Sequence, residues 1–496
     1  MEKINITRFD GGVSNDIRDE TSNGFQLTRH FDIFTSPKKL SPYRSTEADT
    51  NDGSSATGME QYEIKNFVYG SDLRLYGLGR QTSFSRPKIF YKGLVDSGNW
   101  TLPVTAQGSS GVVYGSFIEW GTTKALWMFS GATNVSKWTI DSTFTDTVAT
   151  VGTITTVAQS VKAADDNMYM FYNNKVVRVT PGGTVTDAVL TLPASGRITS
   201  ACNYGSYMAI AWVDGVLAGS VGRSYLYIWD LVSSDVSERV DWGDGVSSLV
   251  VGNLNGTIIG ISDNWASNSL AFSGGRIYVK AYSGGNPQII KEIKNISSVI
   301  TGSLITIPII KDNRMYWAMN VQLQGMTSVL SGIWAVGKNS AGNYVVTLDT
   351  IEEAMSNSFF TGFIMIADYT IMAYGGSGKI TKTDDVANFS FTSIYDSQIF
   401  STSKDTKWLR EVWCTFEKLP SAGQVVMKYK KDEETSFTTL FTESTDNAVK
   451  HECVNIESTG AQLPQFREIQ FRIESTGGAV ITGFGFNQEK LQGLTK

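Results

Sequence analysis

The chain has 496 residues, of which 41% are apolar and 18% charged, with a net charge of −6. The apolar content excludes a disordered chain, and the acidic balance excludes a chain-wide basic footprint for nucleic acid. No apolar run reaches the roughly 18 residues of a membrane-spanning helix, and two histidines with three scattered cysteines supply neither a zinc site nor a disulfide framework.

Length alone predicts two or three folding units. The 48 glycines, with many Ser, Thr and Asn beside abundant Tyr, Trp and Phe, predict short strands joined by tight turns. The opening MEKINITRFDGG lacks the apolar core of a signal peptide. It therefore predicts synthesis in a reducing cytoplasm, with Cys202, Cys414 and Cys453 as free thiols.

Residues 1–60 read as an extended N-terminal arm. Polar residues dominate, Gly11-Gly12 asks for a permissive backbone, and Ser36-Pro37 and Ser41-Pro42 favour extended structure. Phe9, Phe25, Phe31, Ile33, Phe34 and Leu40 are too many apolar side chains for a solvated tail, so the arm must dock, on its own chain or on a neighbour.

The stretch FDGGVSNDIRDETSNGFQLTRHFDIFTSPKKLSPYR resembles the opening of tail nozzle proteins of short-tailed phages. The matching positions are Gly11, Gly12, Val13, Ser14 and Asn15, with Leu40 and Pro42 closing the segment. The resemblance spans about 40 residues of the 496. It departs from the family in the Asn-Asp after the Ser and in total length. It implies a virion tail protein built into a ring, a hexamer in the family, whose partners are other tail proteins. Gly11, Gly12, Phe31 and Leu40 would be its assembly contacts.

Residues 61–395 repeat one strand-turn-strand phrase. Copies begin at Phe67, Phe117, Ala163, Cys202, Leu249, Ile305 and Phe363, spaced by roughly 40–55 residues as propeller blades are. Asn255-Gly256 is a strong two-residue hairpin signal, and Asn173-Asn174, Asp214-Gly215 and Gly274-Gly275 serve similarly. Met168, Met170 and Tyr172 set large residues on one strand face, as do Tyr225, Tyr227 and Trp229. From 396 to 496 charge rises and longer alternating strands appear. Ile469, Phe471 and Ile473 share one face there, as expected of an antiparallel sandwich of about 100 residues. The expectation is an all-β chain: a β-propeller-like body of about seven blades, a C-terminal β-sandwich and the arm.

Chemistry is hard to find. His30 and His451 lie far apart in sequence, so no Ser-His-Asp triad falls within the repeats. Gly375–Ile380, GGSGKI, has the Gly-Lys of a phosphate loop, but Ala373 replaces its first Gly and Ile380 its hydroxyl. Asp10, Asp16 and Asp19, or Asp241 and Asp244, offer oxygens for calcium without an EF-hand loop. Ser262-Asp263-Asn264-Trp265 is only a fragment of a sialidase turn, and Tyr227–Asp230 matches a Trp-Asp propeller ending once. No catalytic, cofactor or metal residue is assigned.

The leading expectation is therefore a structural virion protein at the end of a tail tube, passing DNA without binding it. Receptor or host-glycan binding at a tail tip, and a carbohydrate-active propeller enzyme, stay open as alternatives. Deleting residues 1–45 is expected to block incorporation into particles and leave the repeats folded.

Overall fold

The computed structural model describes residues 2–14, 24–49, 62–81, 87–93, 100–101, 118–140, 144–214, 222–246, 248–264, 276–294, 307–321, 330–351, 360–374, 380–384, 388–401, 406–454 and 463–490. Its regular elements are strands throughout. The chain divides into two compact units. A propeller unit holds Glu47–Ser331 and Glu352–Thr383, and a sandwich unit holds Met1–Thr46, Gly332–Ile351 and Asp384–Lys496. Compared with the three-part reading, the arm is not a separate body, and the sandwich begins at Asp384 rather than 396. It also takes in Gly332–Ile351, a hairpin in which Gly332–Lys338 pairs with Tyr344–Ile351.

The propeller unit is a succession of antiparallel sheets. The first has three strands, Tyr62–Tyr69, Leu75–Gln81 and Pro87–Lys92. Four-stranded second, third, fourth and fifth sheets begin at Ile118–Trp120, Val157–Lys162, Gly196–Tyr204 and Ser248–Leu254. Ile309–Lys311 and Arg314–Val321 form a sixth hairpin, and Phe360–Ile366 opens the seventh sheet. All seven sequence copies land on hairpins, so the repeat expectation is met. The copy at Ala163 differs in register: it covers the second and third strands of its sheet, whereas the others cover the first and second. That slip accounts for part of the irregular spacing.

Alternate residues of one strand serve two neighbouring sheets. Met168, Met170 and Tyr172 pack with Trp127 and Phe129 of the second sheet. From the intervening positions, Tyr169 and Phe171 pack with Ile210, Trp212 and Trp229 of the fourth. Both faces are therefore dry, which is why the second strands read as unbroken apolar runs such as MYMFY, YMAIAWVD and ALWMFS. The same logic joins the fourth sheet to the fifth, the first to the second, and the seventh to the first. Each large side chain buried this way contributes about 1.5–3 kcal/mol. The result is an all-β, propeller-like fold.

The last sheet is completed from the other end of the sequence. Its order is Phe360–Ile366, Tyr369–Tyr374, Ile380–Thr383 and then Thr46–Ala48, a strand that precedes the first sheet. Asp49 ends that strand: its N–H donates to Ile380 O at 2.7 Å. Its carboxylate accepts from Lys92 Nζ at 2.8 Å and Trp100 Nε1 at 3.2 Å. The Lys92 side chain has no exposed surface. Burial raises the Asp49 pKa, and the hydrogen bond and charge of Lys92 offset this only in part. A buried pair of this kind contributes little net stability but makes any unpaired state expensive.

The sandwich unit packs two five-stranded sheets. One runs Glu2–Ile6, Ile481–Lys490, Lys407–Phe416 and Lys450–Val454, with Gln465–Phe466 also on Lys407–Phe416. The other runs Phe25–Arg29, Ser393–Ser401, Glu468–Thr476, Gln424–Lys431 and Thr438–Glu443. Each sheet takes one outer strand from the arm, with Ile4 opposite Phe486 and Thr28 opposite Tyr395. Ile469, Phe471 and Ile473 lie in the core as their alternation requires, beside Phe9, Phe25, Phe31, Ile33 and Leu40. The three cysteines are free, and Cys414 is buried in this core.

The closure predicts an asymmetric response to mutation. Lys92→Met strands the Asp49 carboxylate and should lower the stability of the propeller unit by about 3–5 kcal/mol in denaturant melts. The double change Asp49→Leu with Lys92→Met should recover most of that loss.

Candidate functional site: the strap and the turn face

The arm is a strap whose polar groups are satisfied one by one. Asp10 is buried and accepts from Ser340 Oγ at 2.6 Å, Ser340 N at 3.1 Å and Arg8 Nη2 at 3.1 Å. Burial alone would raise its pKa, but these donors hold it below the ordinary value. Gly12 takes a left-handed φ of +74°, and a Cβ there would stand 2.8 Å from Val345 Cβ. Val13 N donates to Val346 O at 2.8 Å, and Phe25 N donates to Gly12 O at 3.1 Å. Leu40 and Ile481 exchange hydrogen bonds of 2.9 and 3.1 Å.

Of the four anticipated contact residues, Gly12 is held by this geometry and Gly11 is half-buried beside it. Phe31 and Leu40 are fully buried in their own chain's sandwich core. Within the chain, the apolar side chains of the arm thus dock on the sandwich core.

His30 is the junction of the strap. Its N–H donates to Asp349 O at 3.0 Å, and its carbonyl accepts from Tyr43 N at 2.8 Å and Ser393 Oγ at 3.0 Å. Asp349 in turn accepts from Tyr43 Oη at 2.7 Å. The imidazole is fully buried, lies tilted against Phe391 with centroids 4.7 Å apart, and neither ring nitrogen has a hydrogen-bond partner among the described residues. Burial, aided by the charge of Arg29, lowers its pKa to about 3. His451 has different surroundings: it stacks on Phe441 and meets Glu443 at 2.7 Å.

The propeller unit carries a second ordered surface. Turns between first and second strands are chained from sheet to sheet. Ser71 N and Oγ both donate to Glu119 at 2.7 Å, joining the first sheet to the second. Lys162 lies 5.1 Å over the Trp120 ring, joining the third to the second. Asn203 Nδ2 donates to Lys162 O at 2.6 Å, and Asn253 Nδ2 donates to Asn203 O at 2.8 Å. Asn255 Nδ2 meets Asn313 Oδ1 at 3.2 Å, and Lys311 Nζ donates to Ala367 O. These stitches set the turns of successive sheets side by side on one face of the unit.

Two of the turns are copies that the sequence reading missed. Asp72 and Asp165 each accept the N–H two residues on at 3.1 Å. They also accept the Tyr hydroxyl four residues on, Tyr76 at 2.5 Å and Tyr169 at 2.7 Å. Leu73 and Asp166 between them are left-handed, at φ 65° and 58°. An Asp-x-x-x-Tyr spacing at the ends of the first strands would have revealed the repeat.

The remaining candidates either have local partners or lie outside the described residues. Asn255-Gly256 is the expected hairpin turn, both residues left-handed. Asp230 is a turn residue accepting from Val232 N and Ser233 N. Asp241 pairs with Arg223 at 3.6 Å. Residues 375–379, Asp16, Asp19, Gly215 and Gly274-Gly275 lie outside the described residues. Among the described residues no group of three or more His, Cys, Asp or Glu gathers to hold a metal ion, and no helix is long and apolar enough to cross a membrane.

No family profile matches the sequence, and no curated protein is similar to it. Solved structures are similar at the level of fold. Virginiamycin B lyase from Staphylococcus aureus, an inactive variant with quinupristin, shares 10% identity over 68% of this chain and 98% of its own, with a TM-score of 0.44. Exo-beta-1,3-galactanase from Phanerochaete chrysosporium shares 13% over 90% of this chain and 99% of its own, at 0.34. The Dos1 propeller shares 11% over 69% and 94%, at 0.40.

Two outcomes follow for the strap. Gly12→Ala adds left-handed strain and a clash with Val345, so the sandwich unit should lose about 1–3 kcal/mol on thermal melting. For His30 the folded pKa lies below the unfolded value near 6.5, so the unfolded chain takes the proton first. Stability should therefore fall as pH drops from about 6.5 toward 3, by about 1.4 kcal/mol per unit from this group. Calorimetry from pH 7.5 to 5 should show a shallower loss for His30→Phe than for the natural chain.

Proposed function

We propose that the chain is a non-catalytic structural protein of a tailed-phage virion, of the tail nozzle type, assembled with other tail proteins and passed by DNA during ejection. The observation that carries this reading is the use made of the residues in the resemblance. Val13 holds Val346, Ser14 N donates to Phe25 O at 2.8 Å, Leu40 bridges to Ile481, and Pro42 pairs with Phe31. Gly12 sits where a side chain does not fit. The described positions of the family-like phrase are thus each held by backbone pairing or close packing. A net charge of −6 also suits a wall along which DNA must slide without sticking.

Removing residues 1–45 takes an outer strand from each sandwich sheet but spares Ala48 and Asp49 of the propeller closure. Such a truncation mixes misfolding with lost assembly and is a poor test. Cosedimentation is cleaner. In lysates of cells that make the chain, DNA-filled particles banded in a density gradient should contain it in several copies per particle. Recovery only as free protein at the top of the gradient overturns the reading.

A further inference from the structure

A lysine and a carboxylate that meet in water stay charged and inert, because an ammonium has no lone pair and a carboxylate is a poor electrophile. Lys428 and Glu474 are such a pair, 2.7 Å apart with side chains 25% and 17% exposed. Lys92 and Asp49 differ. Nζ and Oδ1 stand 2.8 Å apart, the Lys92 side chain has no exposed surface, and that of Asp49 is 8% exposed. Trp100 Nε1 donates to the second carboxylate oxygen, Oδ2, at 3.2 Å, and its ring centroid lies 5.9 Å from Nζ. Lys382, whose charge also reaches Asp49, is engaged by Glu47 at 3.0 Å.

We infer that the folded chain joins Lys92 Nζ to Asp49 Cγ as a side-chain amide, with no catalyst but its own residues. Removed from water, both charged forms lose their hydration, and a proton passes from Nζ to Oδ1 along the hydrogen bond. Burial pushes the carboxyl in that direction. The result is a neutral amine held against a carboxylic acid, with Nζ roughly 3–4 Å from Cγ, close to an attack distance. The Nζ lone pair forms the bond to Cγ while the Trp100 N–H steadies the charge that gathers on Oδ2. The Cγ–Oδ1 bond then breaks. Oδ1 leaves as water with the proton it received and a second one from Nζ, so one positive and one negative charge vanish together and nothing is oxidised or reduced. Fixing the two groups in place is worth an effective concentration on the order of 10⁵ M or more, which favours a condensation that free groups in water do not undergo.

The bond would lie where the propeller unit closes. Asp49 follows the strand that completes the last sheet, and Lys92 ends the third strand of the first sheet. A single amide thus ties the last sheet to the first, across 43 positions of sequence. The newly folded chain holds the pair as ions, and it is against this chain that Lys92→Met and the double variant are compared on melting. The inference rests on this pair alone and not on the virion reading.

The test is intact mass spectrometry of the full chain, fresh from cell-free synthesis and after ageing, followed by proteolysis. The natural chain should become lighter by one water, and digestion should yield a branched peptide joining the segment of Asp49 to that of Lys92. Lys92→Arg keeps the charge but offers no nucleophilic amine, so it should stay at full mass. Asp49→Leu with Lys92→Met, which leaves no buried charge unpaired, should do the same. Trp100→Phe should slow the loss of water at least tenfold. Lys428 and Glu474 should be recovered in separate peptides. The inference is overturned if the aged natural chain keeps its full mass or yields no branched peptide. It is equally overturned if the loss of water persists in Lys92→Arg, which would assign it to a succinimide at an Asp-Gly step such as Asp10-Gly11.

Discussion

Two-sided burial is the constraint on which the propeller unit depends. Each sheet sends alternate residues to the sheet before and the sheet after, so no sheet can be a terminus without baring an apolar face. A linear stack would leave two such faces, and closure removes both. The packing of Ile371, Ala373 and Ile380 against Ile64, Phe67 and Leu75 is where the last sheet meets the first. Thr46–Ala48 then makes the closure part of a hydrogen-bonded sheet rather than a contact of side chains alone.

Buried polar groups mark the places where the chain is told which arrangement to adopt. Asp49, Lys92 and Trp100 satisfy one another only when the strand from the N-terminal side lies in its proper register. Apolar residues of the same volume would tolerate a slipped strand, whereas a slipped Asp49 would leave two charges buried and unmatched. His30 is placed differently. Its backbone is fully used and its ring is not, so the strap accepts a titratable group that it can hold only uncharged.

Local signals were legible in the sequence and remote ones were not. The Asn255-Gly256 turn, the runs of the second strands and the alternation of Ile469, Phe471 and Ile473 each depend on residues a few places apart. The seven hairpins could be found from them. The partners of the arm could not, because Ile4 opposite Phe486 and Thr28 opposite Tyr395 are pairings across hundreds of residues, with no local pattern to announce them. The excess of Phe, Ile and Leu in the arm showed that it must be buried without showing where. Gly12 was legible as a need for freedom, while its cause, the nearness of Val345, belongs to tertiary structure.

The position of the strand Thr46–Ala48 has a further consequence during translation. Ribosomal synthesis delivers the N-terminal segment first, yet its pairing strand, Ile380–Thr383, emerges only after more than three hundred further residues. The strap waits longer still, since Glu2–Ile6 pairs with Ile481–Lys490. Intermediate sheets can form as they leave the ribosome, but the propeller unit remains incomplete until Thr383 has been made and the sandwich unit until Ile481–Lys490 has followed. The nascent chain therefore carries three unsatisfied outer strands, Glu2–Ile6, Phe25–Arg29 and Thr46–Ala48, through most of its synthesis, and holding chaperones that mask short apolar segments have their natural substrate there.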